Sequence, residues 1–180
     1  MPRETDVSPK ASTFAALGFK QTIARLIEEV LELYKADAIP WVVGYSGGKD
    51  STATLQLIWM AVSRLAPEER VKPIYVISTD TLVENPIVAA WVARSLDQMA
   101  EQAKADGLPI TAHRLTPSPT ETFWVNLIGR GYPAPRPKFR WCTERLKINP
   151  SNRFISDVVK QNGEAIVVLG MRKSESQARA

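Results

Sequence analysis

The stretch that most limits how this chain can fold is Trp41-Val42-Val43-Gly44-Tyr45 running straight into Ser46-Gly47-Gly48-Lys49-Asp50-Ser51. The short apolar run, with its β-branched residues, reads as a buried strand. Two glycines then permit a tight turn. Residues 52–65 carry Leu55, Ile58, Val62 and Leu65 at helical spacing. The alternation recurs downstream: residues 73–78 predict a second strand, 86–105 a helix, 110–115 a third strand and 166–169 a fourth. Upstream, residues 19–35 predict a helix, and Ile39-Pro40 ends it. Strands alternating with helices imply an α/β fold, a Rossmann-like and mainly parallel sheet with helices on both faces. Ligands bind such sheets beyond the strand carboxyl ends, where the strand order reverses. Residues 46–51 and those from Gly170 onward both lie at strand carboxyl ends.

The six residues from Ser46 to Ser51 carry chemistry beyond a turn. Gly47 and Gly48 remove side chains where a backbone must approach a ligand closely. The helix start supplies N–H groups and partial positive charge. Lys49 adds a full charge, and Ser46 and Ser51 add hydroxyls, completing a phosphate cradle. The Walker A spacing G-x-x-x-x-G-K-[ST] is absent, as is G-x-G-x-x-G. The hexapeptide SGGKDS resembles the PP-loop of the adenine nucleotide α-hydrolase-like ATP pyrophosphatases, which cleave ATP between the α and β phosphates. That resemblance implies that Ser46, Gly47, Gly48, Lys49, Asp50 and Ser51 hold the pyrophosphate end of ATP, with Lys49 and Asp50 catalytic and Asp50 helping to place Mg²⁺. It also implies that Thr79 and Asp80, after the second strand, lie by the adenosine. Gly170-Met171-Arg172-Lys173-Ser174-Glu175-Ser176-Gln177-Ala178-Arg179 resembles the G-x-R-x-x-E-S-x-x-R segment of the phosphoadenylyl sulfate reductase branch. There Gly170 would let the chain pass close to a ligand, and Arg172 would pair with phosphate oxygens as a further catalytic residue.

Residues 117–150 break the alternation with six prolines but also hold Phe123, Trp124, Phe139 and Trp141, so they read as an ordered excursion. Arg130, Arg136, Lys138, Arg140, Arg145 and Lys147 crowd into it, with Glu144 the one acidic residue between Arg130 and Arg153. Cations interleaved with aromatic rings make the footprint of a nucleic-acid surface. Cys142, the single cysteine, lies among them and excludes a disulfide scaffold. The run from Asn126 to Cys142 resembles the DndC family, the ATP pyrophosphatase subunits of DNA phosphorothioation systems, as do residues 79–86 and 169–176. The resemblance implies an ATP pyrophosphatase and sulfurtransferase that activates the DNA backbone for sulfur incorporation. Its implied partners are ATP, DNA, a cysteine desulfurase and the other phosphorothioation subunits. It also implies Cys142 as an iron–sulfur ligand, in a 4Fe–4S cluster completed by cysteines further along a longer protein. One thiolate cannot hold such a cluster, which normally needs four. The expected organisation is a loose leader at residues 1–18 and one PP-loop domain at 19–180, forming the N-terminal part of a longer protein.

Of the 180 residues, 44% are hydrophobic and 23% charged, which excludes a disordered or low-complexity chain. No apolar run approaches the ~18 residues of a membrane span. The polar, proline-broken start does not read as a secretory signal, so a cytoplasmic, non-membrane protein is expected. His113 alternates with the apolar residues of the third strand and reads as structural. Three other functions stay open: a phosphoadenylyl sulfate or adenylylsulfate reductase-type oxidoreductase, a non-catalytic nucleotide-binding subunit, and a tRNA-thiolating PP-loop enzyme.

Overall fold

The computed structural model of the chain describes residue 14 and residues 16–171. Most of the expected leader, and Arg172 with the residues after it, lie outside the described residues. Along the chain come α1 (Gly18–Lys35), β1 (Trp41–Gly44), α2 (Lys49–Val62), β2 (Ile74–Thr79), α3 (Pro86–Ala105), β3 (Ile110–Leu115), α4 (Trp141–Thr143), α5 (Asn149–Asn162) and β4 (Ile166–Leu169). Among the described residues the four strands form one parallel sheet in the order β3-β2-β1-β4. Val43 sits opposite Val76 on one side and Val168 on the other, which fixes the register of the central strands.

Period-two alternation divides the strands between two cores. Trp41, Val43, Ile74, Val76 and Ile110 face one side and bury against Tyr34 of α1, Leu55, Ile58 and Val62 of α2, and Leu96 and Ala103 of α3. Val42 and Ile77 face the other side, against Phe154, Ile155 and Val158 of α5. This distribution follows from crossover handedness. Steps from β1 to β2 to β3 run one way across the sheet, with their helices on one face. The return to β4 runs the other way, so a right-handed connection must cross on the opposite face.

The strand positions and α3 stand close to expectation. Pro86 opens α3, and the Asn85 side chain caps it by accepting from the Ile87 N–H at 2.9 Å. Two elements differ. The second helix begins at Lys49 rather than Thr52, because Gly48 already takes the extended conformation of a cap residue. The 149–162 helix was not expected. Pro150, read as the end of the excursion, occupies the first turn of α5, where its missing N–H costs nothing.

The excursion is ordered around aromatic rings. Trp141 is buried, stacks on Phe123 with centroids 5.3 Å apart, and donates its indole N–H to the Pro133 carbonyl at 2.9 Å. Tyr132 meets the same indole edge-on at 5.5 Å. Asn126, fully buried, ties a π-helical turn at Val125–Gly129 to the carbonyls of Glu121 and Thr122. His113 packs against Phe154 and Tyr75, and burial pushes its imidazole below its ordinary range. Among the described residues no helix is long and apolar enough to cross a membrane.

Candidate functional site

β1 pairs with β2 on one side and β4 on the other, so the strand order reverses between β1 and β4. Residues 46–51 emerge at that reversal. The loop is pinned at its entry, where the Tyr45 N–H donates to the Ile77 carbonyl at 2.8 Å. Gly47 has φ 73°, and a Cβ there would lie 2.5 Å from the Trp91 ring, so α3 presses directly on the turn. Inside the loop, Ser51 Oγ receives the Ser46 N–H at 3.2 Å and donates to the Gly48 carbonyl at 2.9 Å. Ser46 Oγ lies 3.1 Å from Ser51 Oγ and accepts from the Gly48 N–H at 3.3 Å. These bonds curl the loop over the start of α2, whose first turn has no side-chain cap. First-turn N–H groups have no intrahelical acceptor and carry the positive end of the helix dipole. Lys49 is exposed, Asp50 half-buried and Ser51 buried.

A cavity of about 610 Å³ opens beside the loop, with Ser46, Ser51, Thr79, Asp80, Arg114 and Lys147 in its walls. Gly170, where β4 ends, is in the wall too. The structure puts a further constraint on it. A Cβ on Gly170 would fall 2.7 Å from the Asp50 carbonyl oxygen and 2.8 Å from Thr54 Oγ1, so its close approach is to the first turn of α2. Thr79 ends β2 and Asp80 follows it, both in the cavity wall. Burial would raise the Asp80 carboxyl, but hydrogen bonds from Arg114 and the Leu82 N–H outweigh it and hold the group below the usual carboxylate range. The same turn sets Leu82 at φ 63°.

Two polar links cross the cavity: Thr79 Oγ1 to Ser151 Oγ at 3.2 Å, and Lys147 Nζ to Glu84 Oε1 at 3.3 Å. Arg114, Glu84 and Ser151 were missed as site residues. Arg114 sits at a strand carboxyl end, a signal that points to it; Ser151 belongs to the unexpected helix. Lys147, expected on a nucleic-acid surface, is a cavity residue paired with Glu84. Arg145 is directed inward, donating to the Tyr132 hydroxyl at 2.8 Å and lying 3.7 Å from Glu121. Arg130 donates to Asn126 Oδ1 at 3.3 Å. Arg136, Lys138 and Arg140 are exposed.

Among the described residues no three His, Cys, Asp or Glu side chains gather into a metal site. Mg²⁺ fits only as an ion shared between nucleotide phosphates, water and one carboxylate such as Asp50, its usual mode with nucleotides. Cys142 is half-buried in α4 and lies outside the cavity walls. With no co-ligands, it does not fit a four-iron cluster among the described residues.

A family model and one solved structure agree with this architecture. The chain is 29% identical over 170 residues to Uncharacterized protein MJ0066 of Methanocaldococcus jannaschii, covering 88% of this chain but only 30% of that relative's length. Phosphoadenylyl-sulfate (PAPS) reductase from Candida auris, solved as a phosphate complex, superposes with a TM-score of 0.50 at 18% identity, over 87% of this chain and 70% of that one. U34-tRNA thiolase NcsA from Methanococcus maripaludis, solved with its [4Fe-4S] cluster, gives a TM-score of 0.46 at 14% identity, over 85% of this chain and 47% of that one. The model of the phosphoadenosine phosphosulfate reductase domain matches residues 40–180, and the chain belongs to that family.

Proposed function

We propose that this domain binds ATP, cleaves it between the α and β phosphates, and so activates the DNA backbone for phosphorothioate formation. The observation that carries the reading is the position of the 46–51 loop, at the strand reversal and on the wall of a cavity of about 610 Å³. Ser46 and Ser51 line the cavity, while Gly47, Gly48, Lys49 and Asp50 lie beside its wall, and in this reading the loop N–H groups, the two hydroxyls and Lys49 hold the phosphates. The polar end of β2 offers Thr79 and Asp80 to the nucleoside. Charge develops on the departing pyrophosphate as the α-phosphorus is attacked. Fixed dipoles and Lys49 stabilise that charge better than they stabilise intact ATP, and this difference is what accelerates the step. Mg²⁺, when bound, would neutralise phosphate charge, and Asp50 is the residue proposed to hold it.

A non-bridging oxygen of the DNA phosphodiester is the proposed nucleophile. Its bond to the α-phosphorus forms as the bond to pyrophosphate breaks. Sulfur from a persulfide, supplied by a cysteine desulfurase, then displaces AMP from the DNA phosphorus, and a thiol releases the phosphorothioate by disulfide exchange. The test is product analysis with α-labelled ATP and Mg²⁺, with and without DNA. AMP and pyrophosphate, increased by DNA, support the reading; ADP and phosphate refute it. The family match favours a second reading, in which the same cradle takes phosphoadenylyl sulfate. Thioredoxin-dependent release of sulfite, without ATP cleavage, would select it.

A further inference from the structure

The cations of the 117–150 excursion fall into two sets. Arg130, Arg145 and Lys147 are held by Asn126, by Glu121 and Tyr132, and by Glu84. Arg136, Lys138 and Arg140 are exposed and have no side-chain hydrogen bond or ion pair among the described residues. These three sit on one small, rigid element. Arg136 and Phe139 exchange both backbone hydrogen bonds, at 3.0 and 2.8 Å, closing a reverse turn with Pro137 and Lys138 at its tip. Pro137 fixes its own φ at the first central position, where turns favour it. The turn is anchored immediately after Arg140 by buried Trp141, through its stack on Phe123 and its bond to the Pro133 carbonyl.

Three positive charges within five residues repel one another, and no carboxylate of the described residues answers them. Holding them on a braced turn means little ordering remains when a partner binds. Phe139, 45% exposed, adds an apolar ring between Lys138 and Arg140. A stretch of helix, from α4 into the π-helical turn at Glu144–Ile148, then leads to Lys147 in the cavity wall. Seven residues of helix span roughly 10 Å. The free cations therefore stand a short distance along one continuous element from the cavity.

We infer that the 136–140 turn grips the phosphate backbone of the acceptor DNA and delivers it to the cavity, while Arg130 and Arg145 brace the excursion instead of touching nucleic acid. This rests on the proposed reading of DNA as acceptor. Its test is independent of turnover: fluorescence anisotropy of a labelled DNA duplex bound to the full chain, without ATP, from 50 to 200 mM salt. Each phosphate neutralised contributes about 0.9 to the log–log salt slope, so the triple variant Arg136→Ala, Lys138→Ala, Arg140→Ala should lower the slope by about 2.7. The salt-induced loss of affinity over that range should then shrink roughly 40-fold. The charge-preserving variant Arg136→Lys, Arg140→Lys should retain the parent slope. ATP affinity, read by calorimetric titration in the absence of DNA, should be unchanged in the triple variant, which separates a failed grip from a failed nucleotide site. An unchanged slope in the triple variant would overturn the inference. So would equal or tighter binding of an RNA duplex of the same sequence.

Discussion

Replacing Gly170 by alanine adds one methyl group where the end of β4 crosses the start of α2. That methyl would lie 2.7 Å from the Asp50 carbonyl oxygen, and 2.8 Å from both the Asp50 carbonyl carbon and Thr54 Oγ1. Ordinary contacts between such atoms need more than 3.4 Å, so several tenths of an ångström must be found. Two of the three atoms are backbone in the first helical turn and cannot swing aside. Thr54 cannot simply rotate either, because its hydroxyl already donates to the Asp50 carbonyl at 3.0 Å. Overpacking of this kind costs about 1–3 kcal/mol. For a domain of this size each kcal/mol lowers Tm by about 2–4 °C. Relief by moving the first turn of α2 would carry the 46–51 loop with it, so nucleotide affinity should fall as well as stability. Thermal denaturation and calorimetric ATP titration of Gly170→Ala measure both. Gly131→Ala is the control: Gly131 has φ 65° but open space around it, so its cost is conformational and leaves the loop in place. If Gly170→Ala matched the parent in Tm and in ATP affinity, the contact between β4 and α2 would not position the loop.

Lys49→Ala should lower AMP and pyrophosphate formation by about 100-fold or more, the usual loss on removing one charge-stabilising group; radiolabelled product assays read it, and Tm should barely move because Lys49 is exposed. Trp141→Ala removes a buried indole with its stacking and its hydrogen bond, a loss of about 3–5 kcal/mol; limited proteolysis should then cut within residues 124–140, where the parent resists. His113 is kept neutral by burial, so its contribution to stability is complete above its unfolded value of about 6.5 and is lost as pH falls through the depressed folded value. Urea denaturation of His113→Gln should therefore depend less on pH than the parent below about pH 6.5.

The central strands β1 and β2 were legible because both are short, apolar and β-branched, as burial on two faces demands, whereas β3 carries Thr111, His113 and Arg114 and was read from its apolar ends and its place in the alternation. The turn at residues 46–51 was legible because its residues are contiguous. The other wall of the cavity was not, since Arg114, Glu84 and Ser151 come from three separated segments and meet only through tertiary contacts. The 149–162 helix was masked by its polar opening, Asn149-Pro150-Ser151-Asn152, although Phe154, Ile155 and Val158 mark an apolar face at helical spacing. Charge counting could locate the basic excursion but could not sort its cations. Whether a cation is free or spent on a carboxylate depends on where Glu121 and Glu84 fold to.

Tyr34 and Lys72 bear on where this domain truly begins. The Tyr34 hydroxyl donates to the Lys72 carbonyl and accepts the Lys72 N–H, at 2.9 and 3.0 Å. Lys72, 1% exposed, places its ammonium 2.7 Å from Asp37 and over the rings of Tyr34 and Trp41. All but Trp41 and Lys72 of this cage precede residue 40, where the family's sequence signature starts. A protein cut at that signature would keep a lysine beneath the sheet with its anion and one of its rings removed, and would strip α1 from Trp41, Leu55 and Val62. A chain trimmed to that signature should therefore unfold at a lower temperature than one that keeps α1.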